Sequence, residues 1–380
     1  MLFVLFDKLE QLMFFVKFSD LFMIIKLIRY IKSFLWYLHR PQKAYKRIQK
    51  TSIPLLLSDA RYNAHLNKNL RHILIVRHFT PTHPFYNNHF LQWVHKNYPE
   101  ISSRIRLKRL SGIPANLENT ALFIPWLQDP LKERFPRQYQ KAFRLQQQCQ
   151  KQGIPVINSV DSLSRSIKSV ALKLIAQTGI RTAKAIPITD GKSFNPGEYG
   201  LSYPLIIRED QIHSTTMSFI TNEENLNTVA WENFKQPVAM EFIDVKGEDN
   251  YYRKYRYVLV GNTGAPRHLI ISKKRFVRAD DRVDDDVCRE EEWQYTQSFR
   301  DPNHDLLNQA RKVLGFDIVA FDYSYDNNGE IVVWEPNPFP VLWQISNEKK
   351  DSSHQLQTIN RLYKVLLDYY LEKAGIRDHF

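Results

Sequence analysis

The chain has 380 residues, of which 43% are apolar and 13% aromatic, so it is long enough for two or three packed domains and unlike a disordered polypeptide. Its two cysteines, Cys149 and Cys288, are too few for a disulfide framework or a cysteine zinc site. The net charge of +13 is concentrated in residues 1–150, which hold 24 Lys and Arg against 8 Asp and Glu. This part of the molecule is therefore expected to meet an acidic substrate or an anionic surface.

Residues 1–50 form a basic segment that is also the most apolar stretch of the chain. In its best spanning window, 21–38, three basic residues would cost more in a bilayer than the apolar residues return, so no membrane span is predicted. Lys26, Arg29 and Lys32 lie three residues apart, which predicts an amphipathic helix with a basic stripe. Two alternatives stay open: the helix lies on an anionic membrane, or it packs on the protein's own body or a partner.

Residues 71–160 alternate between strand-like and helix-like segments, which is typical of a small open α/β domain with a mostly parallel sheet. The helical composition of 130–151 predicts a helix. Short apolar runs predict strands at 72–78, 105–110, 121–127 and 154–158.

Residues 161–375 contain strands joined by few residues, which predicts a largely antiparallel α+β region. Helices are predicted at 162–178, 302–314 and 353–374. Strands are predicted at 182–188, 203–209, 217–221, 236–243, 251–261, 265–278, 317–324 and 330–335. The charge run 280–292 is interpreted as a solvated loop. The fold class is therefore α/β followed by α+β.

The densest chemical signal lies at the last predicted hairpin. Asp326-Asn-Asn-Gly329 is a typical hairpin turn, so Asp322 before it and Glu335 after it can face each other on neighbouring strands. Asn337 points to the same side as Glu335, because strand side chains alternate. Two carboxylates and an amide oxygen are hard ligands that suit Mg²⁺ and leave positions for phosphate oxygens and water. The alternative is a polar-faced hairpin with solvated acids; the flanking apolar strands favour the metal.

The order Asp322, turn, Glu335-x-Asn337-Pro resembles the metal-binding signature of the ATP-grasp superfamily, which includes D-alanine–D-alanine ligase and glutathione synthetase. The resemblance covers roughly residues 71–375. It implies an ATP-grasp domain at 161–375, preceded by the α/β domain that accompanies these enzymes, with ATP and Mg²⁺ as cofactors.

Position by position, the resemblance also implies a nucleotide site. Lys168, which opens a helix, and Arg208, where the family has a second lysine, would bind ATP phosphates. The segment Glu241-Phe242-Ile243 looks like the hinge whose backbone pairs with adenine. The resemblance also implies ribose binding for Asp249 or its neighbour Glu248, and an arginine over the transferred phosphate on the strand that contains Arg256. Separately, the charge compensation that phosphoryl transfer needs makes Lys274 or Lys273 a further candidate for phosphate binding, and Arg256 and Arg267 the candidates for catalytic orientation of an acyl phosphate or carboxylate.

Two segments depart from the family pattern. Residues 209–216 replace a glycine-rich loop whose backbone N–H groups normally cradle phosphates, and the hydroxyls of Ser214, Thr215 and Thr216 could substitute for them. After Asn337 the chain has Pro-Phe-Pro where close ligases have small residues. This departure affects the predicted pocket for the acceptor substrate more than the nucleotide site.

These patterns favour an ATP- and Mg²⁺-dependent ligase that activates a carboxylate as an acyl phosphate for attack by an amine or another nucleophile, releasing ADP and phosphate. Its substrate would be a small-molecule or peptide acid. Its location would be cytoplasmic, with peripheral attachment to the inner face of a membrane as an open alternative. The other functions left open are a phosphotransferase acting on a hydroxyl and a non-catalytic nucleotide-binding module that regulates a membrane partner. Nucleic acid is not a favoured partner, because the basic run 104–109 alternates as in a strand.

Overall fold

A computed structural model of the chain describes residues 63–77, 88–110, 117–127, 129–211, 216–340, 342 and 353–376. The basic segment 1–50 lies outside the described residues, as do Ser214 and Thr215 of the altered loop. None of the helices in the described ranges combines the length and apolarity that a membrane crossing requires.

The first sheet has three parallel strands, as the sequence predicts. β1 (His72–Arg77) lies between β2 (Ile105–Arg109) and β3 (Thr120–Trp126). Every residue of β1 is buried, because the two faces of the strand contribute to two different core clusters.

The strand predicted at 154–158 is wrong: only one bridge, between Val156 and Phe123, forms there. Beyond this bridge the side chain of Asn158 bonds to the backbone near β11 (Ile318–Tyr325). Its Nδ2 donates to the carbonyl oxygen of Ile318 at 2.8 Å, and its Oδ1 accepts from the amide of Asp317 at 2.7 Å.

The helices of this first region are short except for one. They are α1 (Asn88–Asn97), α2 (Pro99–Ser102), α3 (Leu131–Arg134) and α4 (Pro136–Lys151). The single helix predicted over 130–151 is divided at Phe135, whose φ of −139° is not helical, and Pro136 begins the second helix because it has no amide hydrogen to pair.

Two further sheets follow, and their pairing is antiparallel except for one parallel pair, between residues 181–182 and 332–333. A four-stranded sheet has the order β5–β8–β6–β7, with bounds Ala185–Pro187, Pro237–Glu241, Leu205–Glu209 and Met217–Ile220. A five-stranded sheet has the order β10–β9–β11–β12–β4, with bounds Thr263–Ser272, Tyr252–Val260, Ile318–Tyr325, Ile331–Asn337 and Arg181–Thr182. The helices are α5 (Lys168–Ala176), α6 (Glu223–Asn227), α7 (Asp286–Gln297), α8 (His304–Leu314) and α9 (Ser353–Ala374).

Two predictions in this region need correction. The strand predicted at 182–188 is divided between two sheets, since β4 joins the five-stranded sheet and β5 the four-stranded one. The charge run predicted as a loop becomes helical from Asp286, because Asp285 caps the helix by accepting a hydrogen bond from the amide of Cys288 at 2.8 Å. Cys288 is buried beside Leu269 and Ile271 of β10, so this acidic segment forms an amphipathic helix with one face on the sheet.

One face of the five-stranded sheet changes character along its length. Val258, Ile318 and Ala320 pack in the same core cluster as residues of α9. Beyond Ala320 the same face carries Asp322 and, opposite it on β9, Arg256. The sheet therefore presents charged groups from a rigid, largely apolar support.

Candidate functional site

The hairpin formed by β11 and β12 places the three predicted metal ligands on one face. Asp322 lies opposite Glu335, and Ala320 lies opposite Asn337. The turn is fixed by Asp326, whose Oδ1 accepts from the amides of residues 328 and 330 at 2.9 and 3.0 Å. A register shift after Asp322 marks a local bulge at this point of the sheet.

Asp322 already has a strong partner in the structure. Arg256, directly opposite on β9, donates from Nε to Oδ1 at 2.5 Å and from Nη2 to Oδ2 at 2.7 Å, while the Nζ of Lys254 lies 3.7 Å from Oδ2. Asp322 is 1% exposed. Burial acts to lower the pKa of Arg256, but the attraction of Asp322, and after it Glu335, outweighs burial and raises that pKa.

The chemistry of the hairpin fits a hard divalent cation. The described residues contain no group of three His, Cys, Asp or Glu side chains arranged for a metal, so a candidate set here depends on the amide of Asn337 as its third member. A cation would be ligated by Oδ1 of Asn337, whereas its Nδ2, which is buried without a hydrogen-bond partner among the described residues, is a donor that suits an acceptor such as a phosphate oxygen. A cation would share Asp322 with the guanidinium of Arg256.

Lys168 and Arg208 lie in the same electrostatic neighbourhood as Glu335. Lys168 begins α5, is 3% exposed, and donates from Nζ to the carbonyl oxygen of Asp210 at 3.3 Å. Burial and then the charge of Arg208 lower the pKa of Lys168 to about 8, against the opposing attraction of Glu335 and Asp210. Asp210 also accepts from the amide and hydroxyl of Ser169 at 2.9 and 2.6 Å, which ties the segment after β6 to the start of α5.

The predicted hinge residues lie at the end of β8. Glu241 accepts at Oε2 from the amide of Lys184 at 3.1 Å, while Ile243 is buried and the ring of Phe242 lies 5.1 Å from that of Phe219. Phe242 and Ile243 belong to an apolar cluster that also includes Trp334 of β12. The predicted hinge thus adjoins Trp334, the residue that directly precedes Glu335.

A cavity of about 450 Å³ opens beside this apolar cluster. Its lining is basic and aromatic: Phe219, Lys246, Asn250, Tyr252, Lys273, Lys274, Arg275 and Phe276. The guanidinium of Arg275 lies 4.3 Å from the Phe219 ring, and Lys274 pairs with Asp281 at 2.5 Å. Such a lining suits a ligand that has both a flat ring and negative charge.

Asp249 and Arg267 differ in their partners: Asp249 pairs with Arg253, whereas Arg267 is buried and feels the charge of Arg256. Asp249 accepts from Nη1 and Nη2 of Arg253 at 3.0 and 2.6 Å, and Arg253 also donates to Glu291. The residue predicted to bind ribose is therefore engaged in an ion-pair network. Glu248 is exposed. Arg267 is 4% exposed, and burial together with repulsion by Arg256 lowers its pKa to about 10.

Three residues near this site were not singled out in the sequence. Lys254 contacts Asp322, Trp334 lies in the apolar cluster of the predicted hinge, and His268 lies opposite Arg256 on β10. Lys254 could have been found, because it lies two residues from Arg256 on a predicted strand and so shares its face. The other two depend on pairing between distant strands.

Comparison with known proteins supports the fold. No protein-family model and no curated protein matches the sequence. The structure is similar to D-alanine–D-alanine ligase from Bacillus anthracis complexed with ATP, with 13% identity, a TM-score of 0.52, and coverage of 81% of this chain and 100% of that one. It is also similar to the ATP-grasp ligase PsnB complexed with a minimal precursor, with 11% identity, a TM-score of 0.50, and coverage of 79% and 100%. The chain therefore has the ATP-grasp fold, as its sequence predicts.

Proposed function

We propose that this protein is an ATP- and Mg²⁺-dependent ligase that joins a carboxylic acid to an amine through an acyl phosphate. The observation that carries the proposal is the convergence of Asp322, Glu335 and Asn337 on one face of a hairpin, with Lys168 and Arg256 in the electrostatic neighbourhood of Glu335. Phosphoryl transfer from ATP requires this combination of hard oxygen ligands and cations. The similarity to ligases whose structures contain ATP, or Mg and ADP, adds support.

Each group has a role in binding the nucleotide. Lys168 and Arg208 would bind phosphate oxygens, and the apolar cluster around Phe242 and Trp334 would contact the base. Asp322, Glu335 and Asn337 would hold Mg²⁺, which supplies charge to offset the phosphates. Lys168 carries a compact ammonium group, whereas Arg208 carries a planar guanidinium that donates several hydrogen bonds, so the two side chains would contact different phosphate oxygens.

The reaction follows in two steps. A carboxylate oxygen of the substrate attacks the γ-phosphorus of ATP, the bond to the bridging oxygen breaks, and ADP leaves. The amine then attacks the acyl carbon, the bond to phosphate breaks, and the nitrogen loses a proton. Arg256, held beside the metal ligands, would donate hydrogen bonds to the oxygens that gain charge in both steps.

The test is nucleotide binding followed by turnover. We expect Mg²⁺ and ADP together to raise the melting temperature of the full-length protein, and Asp322→Asn with Glu335→Gln to abolish the increase. Asp305→Asn, which changes an exposed carboxylate on α8, is the matched control. ADP release that requires both an acid and an amine identifies a ligase, whereas a stable phosphorylated product would identify a phosphotransferase. Binding without turnover across an acid and amine panel would favour a regulatory module.

The basic segment 1–50 is a separate part of the proposal, as a peripheral contact with an anionic membrane. The full-length protein should bind vesicles that contain phosphatidylserine, and a chain lacking residues 1–50 should not. Equal binding by the two chains would refute this contact without affecting the proposed reaction.

A further inference from the structure

The side chain of Asn158 lies at the edge of β11, where the hairpin with β12 ends. The last paired residues of that hairpin are Ala320 and Asn337, and the next residue, Pro338, has no N–H with which to extend the pairing. Among the described residues, no position of β12 pairs with Ile318, the first residue of β11. One hydrogen-bonding position at this edge is thus left for a group from elsewhere in the chain.

The carboxamide of Asn158 occupies this position. Its Oδ1 accepts from the amides of Asp317 and Ile318 at 2.7 and 2.9 Å. Its Nδ2 donates to the carbonyl oxygens of Ile318 and Pro338 at 2.8 and 3.0 Å. A carboxamide has two N–H donors and an oxygen that accepts two hydrogen bonds, so the capacity of this side chain is fully used. Asn158 is 0% exposed, so water does not compete for these bonds.

The backbone on both sides of Asn158 is held by other elements. The chain just before it makes two hydrogen bonds with the backbone of Phe123 in β3, at 2.9 and 3.0 Å. Just after it, the amide of Val160 donates to Oε1 of Gln146 on α4 at 2.6 Å. Phe123 and Gln146 are both buried. The position of Asn158 is therefore set by the first sheet and by α4.

The bond to Pro338 bears on the proposed metal site. Pro338 directly follows Asn337, the third predicted ligand, at the end of β12. Pairing with Ala320 fixes the backbone of Asn337, and Asn158 fixes the carbonyl group of the residue after it. Because the same carboxamide also bonds to β11, it sets the separation between β11 and the end of β12. A metal ligand has to be held to within about 0.5 Å, which depends on the groups that support it.

We propose that Asn158 is a positioning residue for Asn337. Its carboxamide holds the carbonyl group of Pro338 against the edge of β11, and thereby keeps the side chain of Asn337 in the orientation that Mg²⁺ binding requires. The inference rests on the proposed function, because it takes Asn337 as a metal ligand. Through Asn158, residues 71–160 contribute to a metal site whose ligands all lie beyond residue 320.

The experiment measures nucleotide-dependent binding of Mn²⁺ to the full-length protein by electron paramagnetic resonance. Asn158→Ser shortens the side chain and leaves room for water to bond to the backbone groups. We expect this variant to bind Mn²⁺ about tenfold more weakly, the lower end of the loss that follows removal of a residue supporting a metal ligand. Asn158→Asp should also weaken Mn²⁺ binding, because a carboxyl group has at most one O–H for two carbonyl oxygens. It provides the same comparison if the serine variant does not fold.

Asn63 provides the matched control. Its carboxamide bonds to Leu107 of β2 in the same way: Oδ1 accepts from the amide at 2.9 Å, and Nδ2 donates to the carbonyl oxygen at 3.0 Å. Asn63→Ser removes these bonds at the far edge of the first sheet, and its Mn²⁺ affinity should stay within about twofold of the parent protein. In Asn158→Ser, calorimetric affinity for ADP without metal should also stay within about twofold, because the phosphate-binding cations are unchanged.

A double variant tests whether Asn158 acts through Asn337. Asn337→Ala alone should weaken Mn²⁺ binding roughly tenfold. If Asn158 acts by orienting that ligand, adding Asn158→Ser to Asn337→Ala should cause little further loss. Independent effects would multiply to about a hundredfold.

The outcomes separate the two proposals. Asn158 variants that bind Mn²⁺ within about twofold of the parent, or a double variant with a hundredfold loss, overturn the positioning role and leave the proposed function intact. The positioning role is also overturned if Asn63→Ser loses as much affinity as Asn158→Ser, if Asn337→Ala has no effect, or if neither Asn158 variant folds. A parent protein that does not bind Mn²⁺ with ADP overturns the proposed function, and the positioning role with it.

Discussion

Arg256→Met tests the interaction at the centre of the site. The side chain of Arg256 makes two hydrogen bonds, at 2.5 and 2.7 Å, to a carboxylate that is 1% exposed. Methionine keeps much of the length and removes the charge, so Asp322 is left buried with only Lys254 at 3.7 Å. Removing one partner of a buried ion pair costs about 3–5 kcal/mol, because the other charge stays desolvated. Because Lys254 remains as a weaker counter-charge for Asp322, we expect the free energy of unfolding to fall by about 3 kcal/mol, the lower end of this range.

The assay is urea unfolding of the metal-free protein, supported by thermal melting. For a chain of this size, about 3 kcal/mol corresponds to a decrease in melting temperature of roughly 6 °C. Arg256→Met combined with Asp322→Asn should recover most of the loss, because the buried charge is gone as well. Mg²⁺ should also stabilise the single variant more than the parent, since it can replace the guanidinium as the counter-charge. A loss below 1 kcal/mol, or a double variant no more stable than the single one, would refute this reasoning.

Four further predictions concern the nucleotide site. Lys168→Met should weaken binding of Mg²⁺ with ADP at least tenfold at pH 7, as expected for loss of a buried phosphate-binding cation. The pKa of Lys168 is about 8 in the folded protein and about 10.4 when unfolded, so the free energy of unfolding should rise between pH 8 and 10.4. Nucleotide affinity, measured by fluorescence titration, should fall above pH 8 because Lys168 loses its charge. A Lys168→Met variant with the same pH profile would contradict this prediction. Asn337→Ala should weaken nucleotide-dependent Mn²⁺ binding, followed by electron paramagnetic resonance, roughly tenfold, and unchanged Mn²⁺ affinity would exclude Asn337 as a ligand. If Asp249 binds ribose, Asp249→Asn should abolish the preference for ATP over its 2′,3′-dideoxy analogue, and Glu248→Gln is the control. A preference that persists in Asp249→Asn would show that Asp249 does not bind ribose and serves in the ion pair with Arg253.

Local pattern was sufficient to predict the hairpin and the shared face of Asp322, Glu335 and Asn337. The two strands are apolar and short, Gly329 adopts a φ of +78° at the turn, and alternation along β12 places Glu335 and Asn337 on one side. The parallel sheet of β1, β2 and β3 was equally readable, since its central strand is a continuous apolar run. These features depend on residues that are close together in the sequence.

Pairing between strands that are distant in the sequence could not be predicted from local pattern. Arg256 and Asp322 are 66 residues apart, and their contact depends on the register between β9 and β11. The bulge that brings His268 opposite Arg256 also depends on the partner strand. The division of residues 181–187 between two sheets, and the capped helix at 286–297, were missed because tertiary packing outweighed local composition at both places.

The most direct test of the central claim is the position of the metal. Crystals grown with Mn²⁺ and a non-hydrolysable ATP analogue should show an anomalous peak within about 2.2 Å of oxygens from Asp322, Glu335 and Asn337, with the phosphates beside Lys168. A metal and nucleotide bound elsewhere, with Arg256 still making both hydrogen bonds to Asp322, would contradict the claim.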